Sequence, residues 1–283
     1  MKKYLIHNQA WLYFAARSVY RLTPTYILKN RKRVRAHSAK REKIKKRNLQ
    51  IMEEVFKNDY RVLNGPFEGM QYIDDTPGSI LLPKILGSYE EPIQEWVKTV
   101  IDRQYDKILA IGCAEGYYAV GFAMRLPETK IIAYDINADA LDRCRELARC
   151  NGVDNVTFKK SCDFRELEDQ LAGRTLIFCD IEGGERELLD PARVGKLSAA
   201  DMIIESHDSY LPGMTEMLVE RFKDTHRITV TMDYPGRLKD YGTPRKQSDE
   251  VFAEIIDENR TPFMKFLFCE SFTAAQKAEE QKK

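Results

Sequence analysis

The run Asp180-Ile181-Glu182-Gly183-Gly184-Glu185 places three carboxylates and two glycines within six residues, directly after an apolar segment. Charged groups at the end of a buried strand are costly unless they face a cationic ligand, a metal ion or a polar substrate. A second set, Glu205-Ser206-His207-Asp208, ends another apolar segment. Such carboxylates and an imidazole can take a proton from a reacting hydroxyl or hold a divalent metal ion. The two runs predict a reactive or ligand-binding site; the alternatives are a solvated loop for the first and a histidine that only orients a loop for the second.

A glycine-containing turn, Gly112 to Gly116, joins the apolar segment 108–111 to a helical pattern. Glycine lets the backbone approach a ligand closely, and the first turn of a helix has unpaired N–H groups. The G-x-G-x-x-G pattern of dinucleotide sites has a third glycine where this chain has Tyr117, so a pyrophosphate site is disfavoured. The sequence contains no G-x-x-x-x-G-K-[ST] run, so a P-loop has no support.

Acidic residues also end the second and third apolar segments. Asp135 lies 23 residues after Gly112, where an acid can accept hydrogen bonds from ribose hydroxyls. Asp163 and Phe164 follow the third segment, where an acid can reach an adenine amino group and a ring can flank the base. The pattern predicts a nucleoside-containing ligand, although Asp135 could simply begin the turn before the helix that Asn137 caps.

Short apolar strands alternate with helices along most of the chain. The predicted strands are 107–111, 130–135, 156–160, 175–180, 201–205, 227–232 and 263–269, and the predicted helices include 118–126, 138–150 (with Asn137 as N-cap and Gly152 near the C-cap), 186–189 and 214–222. This alternation predicts an α/β fold with a mainly parallel sheet covered on both faces. In such sheets ligands bind beyond the carboxyl ends of the strands, which is where the residues above lie.

The domain organisation predicted from these patterns has four parts. A basic N-terminal arm covers residues 1–50, an extension covers 51–103, the α/β domain covers 104–273 and a charged tail covers 274–283. Within the extension, residues 60–73 predict a small hairpin and residues 89–103 predict a helix with Pro92 in its first turn.

The α/β domain resembles the class I S-adenosylmethionine-dependent methyltransferases over residues 105–272. The run from Asp180 to Glu185 is similar to the FkbM-like family, whose fourth strand closes with Asp, a hydrophobe, Glu, Gly, any residue and Glu. Gly116-Tyr117-Tyr118 adds to the likeness. The resemblance implies a Rossmann-like fold with a seven-stranded, mostly parallel sheet and S-adenosylmethionine as cofactor.

Two positions depart from the family pattern. Ala110 replaces an acid that is common before the first glycine, and Ala114 replaces the usual middle glycine. The cofactor loop is therefore expected to be looser, or to use Glu115 for the methionine amino group. The resemblance implies cofactor contacts from Gly112, Ala114, Glu115, Gly116, Tyr117, Asp135, Ile136, Cys162, Asp163, Phe164 and Asp180.

The expected reaction is methyl transfer to a hydroxyl group, which the resemblance places on a carbohydrate or glycolipid precursor. Such a displacement depends largely on the alignment of acceptor oxygen, methyl carbon and sulfur. His207 is the first choice of base, with Glu182 and Asp180 as further catalytic candidates and Asp208 nearby. No metal ligand set is predicted, although this cluster could instead hold a divalent ion that lowers the pKa of the acceptor.

The basic arm offers other interpretations. Residues 1–50 contain 15 Lys and Arg residues and a single acid, Glu42, although the net charge of the whole chain is +1. With an amphipathic pattern over 4–22, residues 1–47 predict binding to anionic lipid and a peripheral position on the inner face of the membrane. A solvated tail, an organellar transit peptide, an arm that tracks RNA phosphates in an RNA methyltransferase, or the anchor of a non-catalytic scaffold remain as alternatives.

The cysteines favour a reducing environment. The six cysteines form no CxxC pair and have no Cys/His spacing that suits zinc.

The longest unbroken apolar run in the N-terminal region, 10–16, is too short to span a bilayer. A cytoplasmic location is therefore expected.

Overall fold

A computed structural model describes residues 42–74, 80–103, 105–234, 236–260 and 264–272. The predicted amphipathic helix 4–22, most of the basic arm and the tail 274–283 lie outside the described residues. The chain divides into two compact units, 1–53 and 54–283. In the first unit, residues 42–53 are helical. No helix among the described residues has the length and apolar character needed to cross a bilayer.

The second unit is built on a seven-stranded sheet with the strand order β3-β2-β1-β4-β5-β7-β6. The strands are β1 (Lys107–Ile111), β2 (Lys130–Tyr134), β3 (Val156–Lys159), β4 (Thr175–Cys179), β5 (Asp201–Ser206), β6 (His226–Met232) and β7 (Lys265–Ser271). Strands β1 to β5 pair in parallel, and β7 lies antiparallel between β5 and β6. The expected Rossmann-like fold is confirmed.

Helices connect the strands. Those described in the second unit are α1 (Leu81–Leu86), α2 (Gln94–Arg103), α3 (Tyr117–Arg125), α4 (Ala138–Cys150), α5 (Phe164–Gln170), α6 (Glu185–Leu188), α7 (Met214–Phe222) and α8 (Asp249–Ile256), with 3-10 turns at Glu91–Ile93 and Gly195–Ala199. The Asn137 side chain caps α4 by accepting from the Asp139 N–H, as predicted. The helix predicted over 89–103 begins with the 3-10 turn that contains Pro92 and continues as α2.

The central strands are apolar because both of their faces are covered. All five residues of β4 and all six of β5 are buried. On one face, Leu109, Ile177 and Ile204 join a cluster that includes Leu218 and Phe222 of α7. This continuous core fixes the register of the strands, and with it the relative positions of their carboxyl ends.

The chain reverses over residues 60–73 as predicted, but without two regular strands. The two sides pair through an antiparallel bridge between Arg61 and Gln71 and through bonds from the Val62 and Tyr72 N–H groups to the Met70 and Tyr60 carbonyls, at 2.9 and 2.8 Å. Gly65 and Gly69 have φ values of +80° and +87°, and Phe67 between them is buried. The Phe67 ring packs edge-on against Tyr117 at 5.3 Å, so an aromatic anchor takes the place of a regular strand pair.

Candidate active site

The carboxyl ends of β1 and β4 meet at one edge of the sheet. The Asp180 N–H donates to the Ile111 carbonyl at 2.9 Å, and the Gly112 N–H donates to the Tyr134 carbonyl at 2.9 Å. Gly112 has φ +82°, and a Cβ atom there would lie 1.6 Å from the Asp180 carbonyl oxygen. Only glycine fits this position, because the two strand-end loops touch through their backbones.

Asp135 fastens the glycine turn to the end of β2. Its Oδ2 accepts from the Ala114 N–H at 2.9 Å, and its Oδ1 accepts from the Asn137 N–H at 2.8 Å. Ala114 has φ +45°, a left-handed conformation that glycine adopts at lower cost. The family's preference for glycine at this position thus has a physical reason, and the bond to Asp135 holds alanine in the same geometry.

The second half of the turn leads into α3. Gly116 has φ +101°, and a Cβ atom there would lie 2.5 Å from the Cys144 sulfur. The Tyr117 ring is buried among aromatic rings, including Phe67 and Tyr89 at 5.3 and 5.2 Å. Because the ring of Tyr117 is packed against other rings, the predicted cofactor contact of Tyr117 would have to come from its backbone.

Glu115 is a buried residue of the glycine turn. Its carboxylate is fully buried, forms an ion pair with the ammonium group of Lys84, and accepts from the Tyr72 hydroxyl at 2.7 Å. Lys84 lies 4.7 Å from the centroid of the Tyr89 ring. Glu115 therefore joins the turn to α1 through Lys84, and its contact with a methionine amino group stays a prediction.

The residues predicted to surround an adenine follow β2 and β3. Ile136 is 81% exposed, which is unusual for a large apolar side chain. Asp163 caps α5, with its Oδ1 accepting from the Arg165 and Glu166 N–H groups. Cys162 is half-buried. One face of the Phe164 ring is covered by Arg193, 4.1 Å from its centroid.

The catalytic candidates from β4 and β5 converge on His207, which is buried. Its Nε2 lies 3.4 Å from Asp180 Oδ1 and 3.5 Å from Glu182 Oε2, and its Nδ1 lies 2.9 Å from Glu185 Oε1. The Ile181 N–H also donates to Glu185 Oε1 at 3.0 Å. An ionised carboxylate can only accept, so the bond to Glu185 places a proton on Nδ1 and directs Nε2 towards Asp180 and Glu182.

The charges of this cluster shift its proton affinities. Burial raises the pKa of Asp180 to about 7, and the nearby Glu90 and Glu182 carboxylates add to this rise while His207 opposes it. Burial lowers the pKa of His207, but the bond to Glu185 and the charges of Asp180 and Glu182 outweigh it and leave the pKa above its ordinary value. The cluster can therefore exchange protons near neutral pH.

Asp208, the remaining base candidate, contacts Thr215 and Lys265. Its carboxylate accepts from both the N–H and the hydroxyl of Thr215 in α7, and it lies 3.5 Å from the Lys265 ammonium group. Burial raises the pKa of Asp208, but these partners lower it to below its ordinary value. Asp208 therefore holds the start of α7 in place and stays ionised.

A buried network of acids and arginines borders the cluster. Arg260 pairs with Glu90, with Glu205 at 2.6 Å and with Glu258 at 2.8 Å. Glu90 also accepts from the Tyr118 hydroxyl. The network ties the segment before α2 and the segment before β7 to β5 and to the start of α3.

Several of these residues had no role assigned from the sequence. Glu185 belongs to the acidic run that the sequence analysis singled out, but its bond to His207 could not be predicted from the sequence. Lys84, Glu90 and Arg260 gave no local signal, because an isolated charged residue is normally solvated and its burial depends on partners far along the chain.

The middle of the second unit, from β1 to β4 of the sheet, matches a known family. Residues 102–186, from the end of α2 to the start of α6, match the family model of a methyltransferase domain. This part of the chain is a methyltransferase domain. Its cofactor is S-adenosylmethionine. The match includes the glycine turn, Asp135 and the acidic run after β4 of the methyltransferase domain.

Solved methyltransferases have a similar fold. A candidate O-methyltransferase from Klebsiella pneumoniae is 17% identical, with a TM-score of 0.44 over 65% of this chain and 81% of that chain. TomG, an O-methyltransferase from Streptomyces achromogenes solved with S-adenosylmethionine, is 13% identical, with a TM-score of 0.42 over 62% and 77%. The human methyltransferase 10 domain containing protein is 15% identical, with a TM-score of 0.47 over 82% and 96%. No curated protein sequence matches the chain.

Proposed function

We propose that this methyltransferase transfers the methyl group to a hydroxyl acceptor bound beside Asp180, Glu182 and His207. The observation that carries the proposal is the buried Glu185–His207 pair, with 2.9 Å between Oε1 and Nδ1. It directs the other imidazole nitrogen towards the two acids at the strand ends. A hydroxyl acceptor must lose a proton as its oxygen attacks, and this cluster offers groups that can take it.

The glycine turn fits the cofactor. Gly112 and Gly116 let the turn pack closely against Asp180 and Cys144. Asp135 follows β2 beside the turn, and Ile136 is exposed next to it. In our proposal the turn and Asp135 hold the sugar part, while Ile136, Cys162, Asp163 and Phe164 border the base. When bound, S-adenosylmethionine supplies an electrophilic methyl group on a sulfonium.

The proton balance of the proposed reaction is simple. The acceptor O–H bond breaks, a new O–CH3 bond forms, the methyl–sulfur bond breaks, and the proton goes to the cluster. His207 is the base in the simplest version, since Glu185 fixes its ring and its Nε2 faces the site. Asp180 and Glu182 then stabilise the imidazolium that forms.

We further propose a carbohydrate or glycolipid precursor as the acceptor. The support is the resemblance of the run from Asp180 to Glu185 to the FkbM-like family, which is an analogy at the level of family. Tyr210 is consistent with it: this side chain is 61% exposed, and its ring stacks on His207 at 5.7 Å. An exposed aromatic ring beside the acceptor site can pack against the apolar face of a sugar.

The test is the release of S-adenosylhomocysteine while sugars, lipid-linked glycans and RNA are offered as acceptors. Turnover with a glycan and not with RNA is expected. Turnover that depends on RNA alone would replace the proposed acceptor. Calorimetry that finds no S-adenosylmethionine binding by folded protein would contradict the proposal as a whole and favour a non-catalytic scaffold.

A further inference from the structure

The cluster at the ends of β4 and β5 has the composition and size of a cation site. Asp180, Glu185 and His207 each offer a ligand atom, and these atoms all lie within 4.8 Å of one another. Glu182 Oε2 lies 3.5 Å from the imidazole, on a side chain that is 70% exposed and can turn. Two carboxylates and an imidazole, from the ends of β4 and β5 and the start of α6, form a mixed oxygen and nitrogen donor set.

A second observation is independent of this proximity. Glu185 is fully buried, and its second carboxylate oxygen, Oε2, has no hydrogen-bond partner among the described residues. Leaving a buried carboxylate oxygen unpaired costs free energy, and native structures rarely tolerate it without a ligand or an ion.

Among the described residues, Asp180, Glu182 and Glu185 form ion pairs with His207 and with no Lys or Arg side chain. Arg260 already pairs with Glu90, Glu205 and Glu258, and Lys265 lies near Asp208 and Glu216. Three carboxylates therefore face a single imidazole at the edge of the site. This excess of negative charge in a largely buried position favours a ligand with a positive charge.

We propose that Asp180, Glu185 and His207 bind one divalent cation, with the Glu182 carboxylate beside it. The inference rests on the proposed transfer to a hydroxyl. Oxygen and imidazole donors together suit Mn²⁺, which we take as the probe. The cation takes the place of a proton on the imidazole, polarises the acceptor hydroxyl and lowers its pKa. His207 is then a ligand rather than the base, and the exposed Glu182 takes the acceptor proton.

Binding of Mn²⁺ to the purified full-length chain tests the inference through the electron paramagnetic resonance signal of free Mn²⁺. Saturable binding of one ion per chain is expected. Asp180→Asn and Glu185→Gln should each weaken it by about ten-fold or more. Glu187→Gln is the matched control, because Glu187 lies two residues further along and is 79% exposed. It should bind Mn²⁺ as the wild type does. Thermal unfolding of each variant identifies any loss that is due to misfolding.

Three outcomes would overturn the inference: no saturable binding by the folded wild type, unchanged binding in a folded Asp180→Asn or Glu185→Gln chain, or complete displacement of Mn²⁺ by S-adenosylmethionine. The last result would assign the negative charge to the cofactor. Calorimetry with S-adenosylmethionine on the same sample separates the two proposals. A chain that binds the cofactor but no Mn²⁺ overturns the cation site alone and leaves His207 as the base.

Discussion

At the scale of single residues, the turn after β1 is shaped by two backbone positions with opposite tolerance for a side chain. Gly112 packs so closely against the Asp180 carbonyl that no Cβ atom fits there. Ala114 has a Cβ atom although its backbone is in the left-handed conformation. The first position requires glycine, and the second only prefers it.

The substitutions Gly112→Ala and Ala114→Gly should therefore have opposite effects on the stability of the fold. Gly112→Ala should abolish stable folding or cost several kcal/mol, because its Cβ would lie 1.6 Å from a backbone oxygen. Ala114→Gly should stabilise the chain by about 0.5–1 kcal/mol, since relief of left-handed strain exceeds the added entropy of the unfolded chain. Urea unfolding measures both. A less stable Ala114→Gly chain would show that the bond to Asp135 removes the strain.

Asp135 is the residue on which the cofactor assignment depends most. Asp135→Ala should weaken S-adenosylmethionine binding by about ten-fold or more, because it removes the proposed ribose acceptor and the bond to the Ala114 N–H. Asp142→Ala, on the exposed face of α4, is the control. Isothermal titration calorimetry gives both affinities, and equal values for Asp135→Ala and wild type would remove Asp135 from the site.

At the scale of elements, the segments before β1 and after β6 hold each other through buried charged groups. Glu91, in the 3-10 turn before α2, accepts from the Leu238 N–H at 2.8 Å and from the Tyr234 hydroxyl at 3.0 Å. Lys84 of α1 pairs with Glu115 in the glycine turn. The extension is thus joined both to the glycine turn and to the segment after β6.

Glu91 should make stability depend on pH. Burial raises its pKa, but the bonds from Leu238, Tyr241, Tyr234 and Lys239 lower it to below the ordinary value of 4.5. A lowered folded pKa means that the stabilisation is complete above the unfolded pKa and is lost as pH falls through the folded pKa. Urea unfolding between about pH 7 and about pH 3 should therefore show a smaller loss of stability for Glu91→Gln than for wild type. The exposed Glu128→Gln should follow the wild type, and an unchanged slope for Glu91→Gln would contradict the assignment.

The Lys84–Glu115 pair should be important for both folding and cofactor binding. Lys84→Met removes the ammonium group beside a fully buried carboxylate and should destabilise the chain by about 3–5 kcal/mol. Adding Glu115→Gln should restore part of the loss, because it removes the buried charge. Thermal and urea unfolding of the single and double variants measure the coupling, and purely additive losses would argue against a direct ion pair.

At the scale of the whole molecule, charge is separated along the chain. The first 50 residues contain 15 of the 45 Lys and Arg residues and one of the 44 acids. Most of this arm lies outside the described residues, so its partner remains a proposal. We propose that attraction to anionic lipid brings the methyltransferase domain to a membrane surface.

Vesicle binding tests this proposal. The full-length chain should bind vesicles that contain anionic lipid and not neutral ones. Changing Arg31, Lys32, Arg33 and Arg35 to Gln should lower the partition coefficient by about ten-fold or more, since each basic residue near the surface contributes about 1 kcal/mol. Equal binding to both vesicle types would contradict the electrostatic proposal, and salt-dependent retention on RNA would favour the RNA alternative instead.

The sequence by itself determined the order and type of most elements of the sheet. Strands such as β1 and β4 are short apolar runs because both of their faces are buried, and α4 begins after Asn137 because its cap is made by an adjacent side chain. Both signals are local, so they can be read without knowing the fold. The positions of Asp135, Asp163 and Asp180, each just after a strand, followed from the same alternation of strands and helices.

Only the tertiary structure decided which side chains meet at the sheet edge. Glu115 pairs with Lys84, 31 residues earlier, and His207 bonds to Glu185, 22 residues earlier. Residues 60–73 form a chain reversal with a few backbone bonds, and Phe67 within it packs against Tyr117 of α3. Burial, charge pairing and proton affinity depend on the groups that the fold brings into contact, and residues far apart in sequence carry no local sign of those contacts.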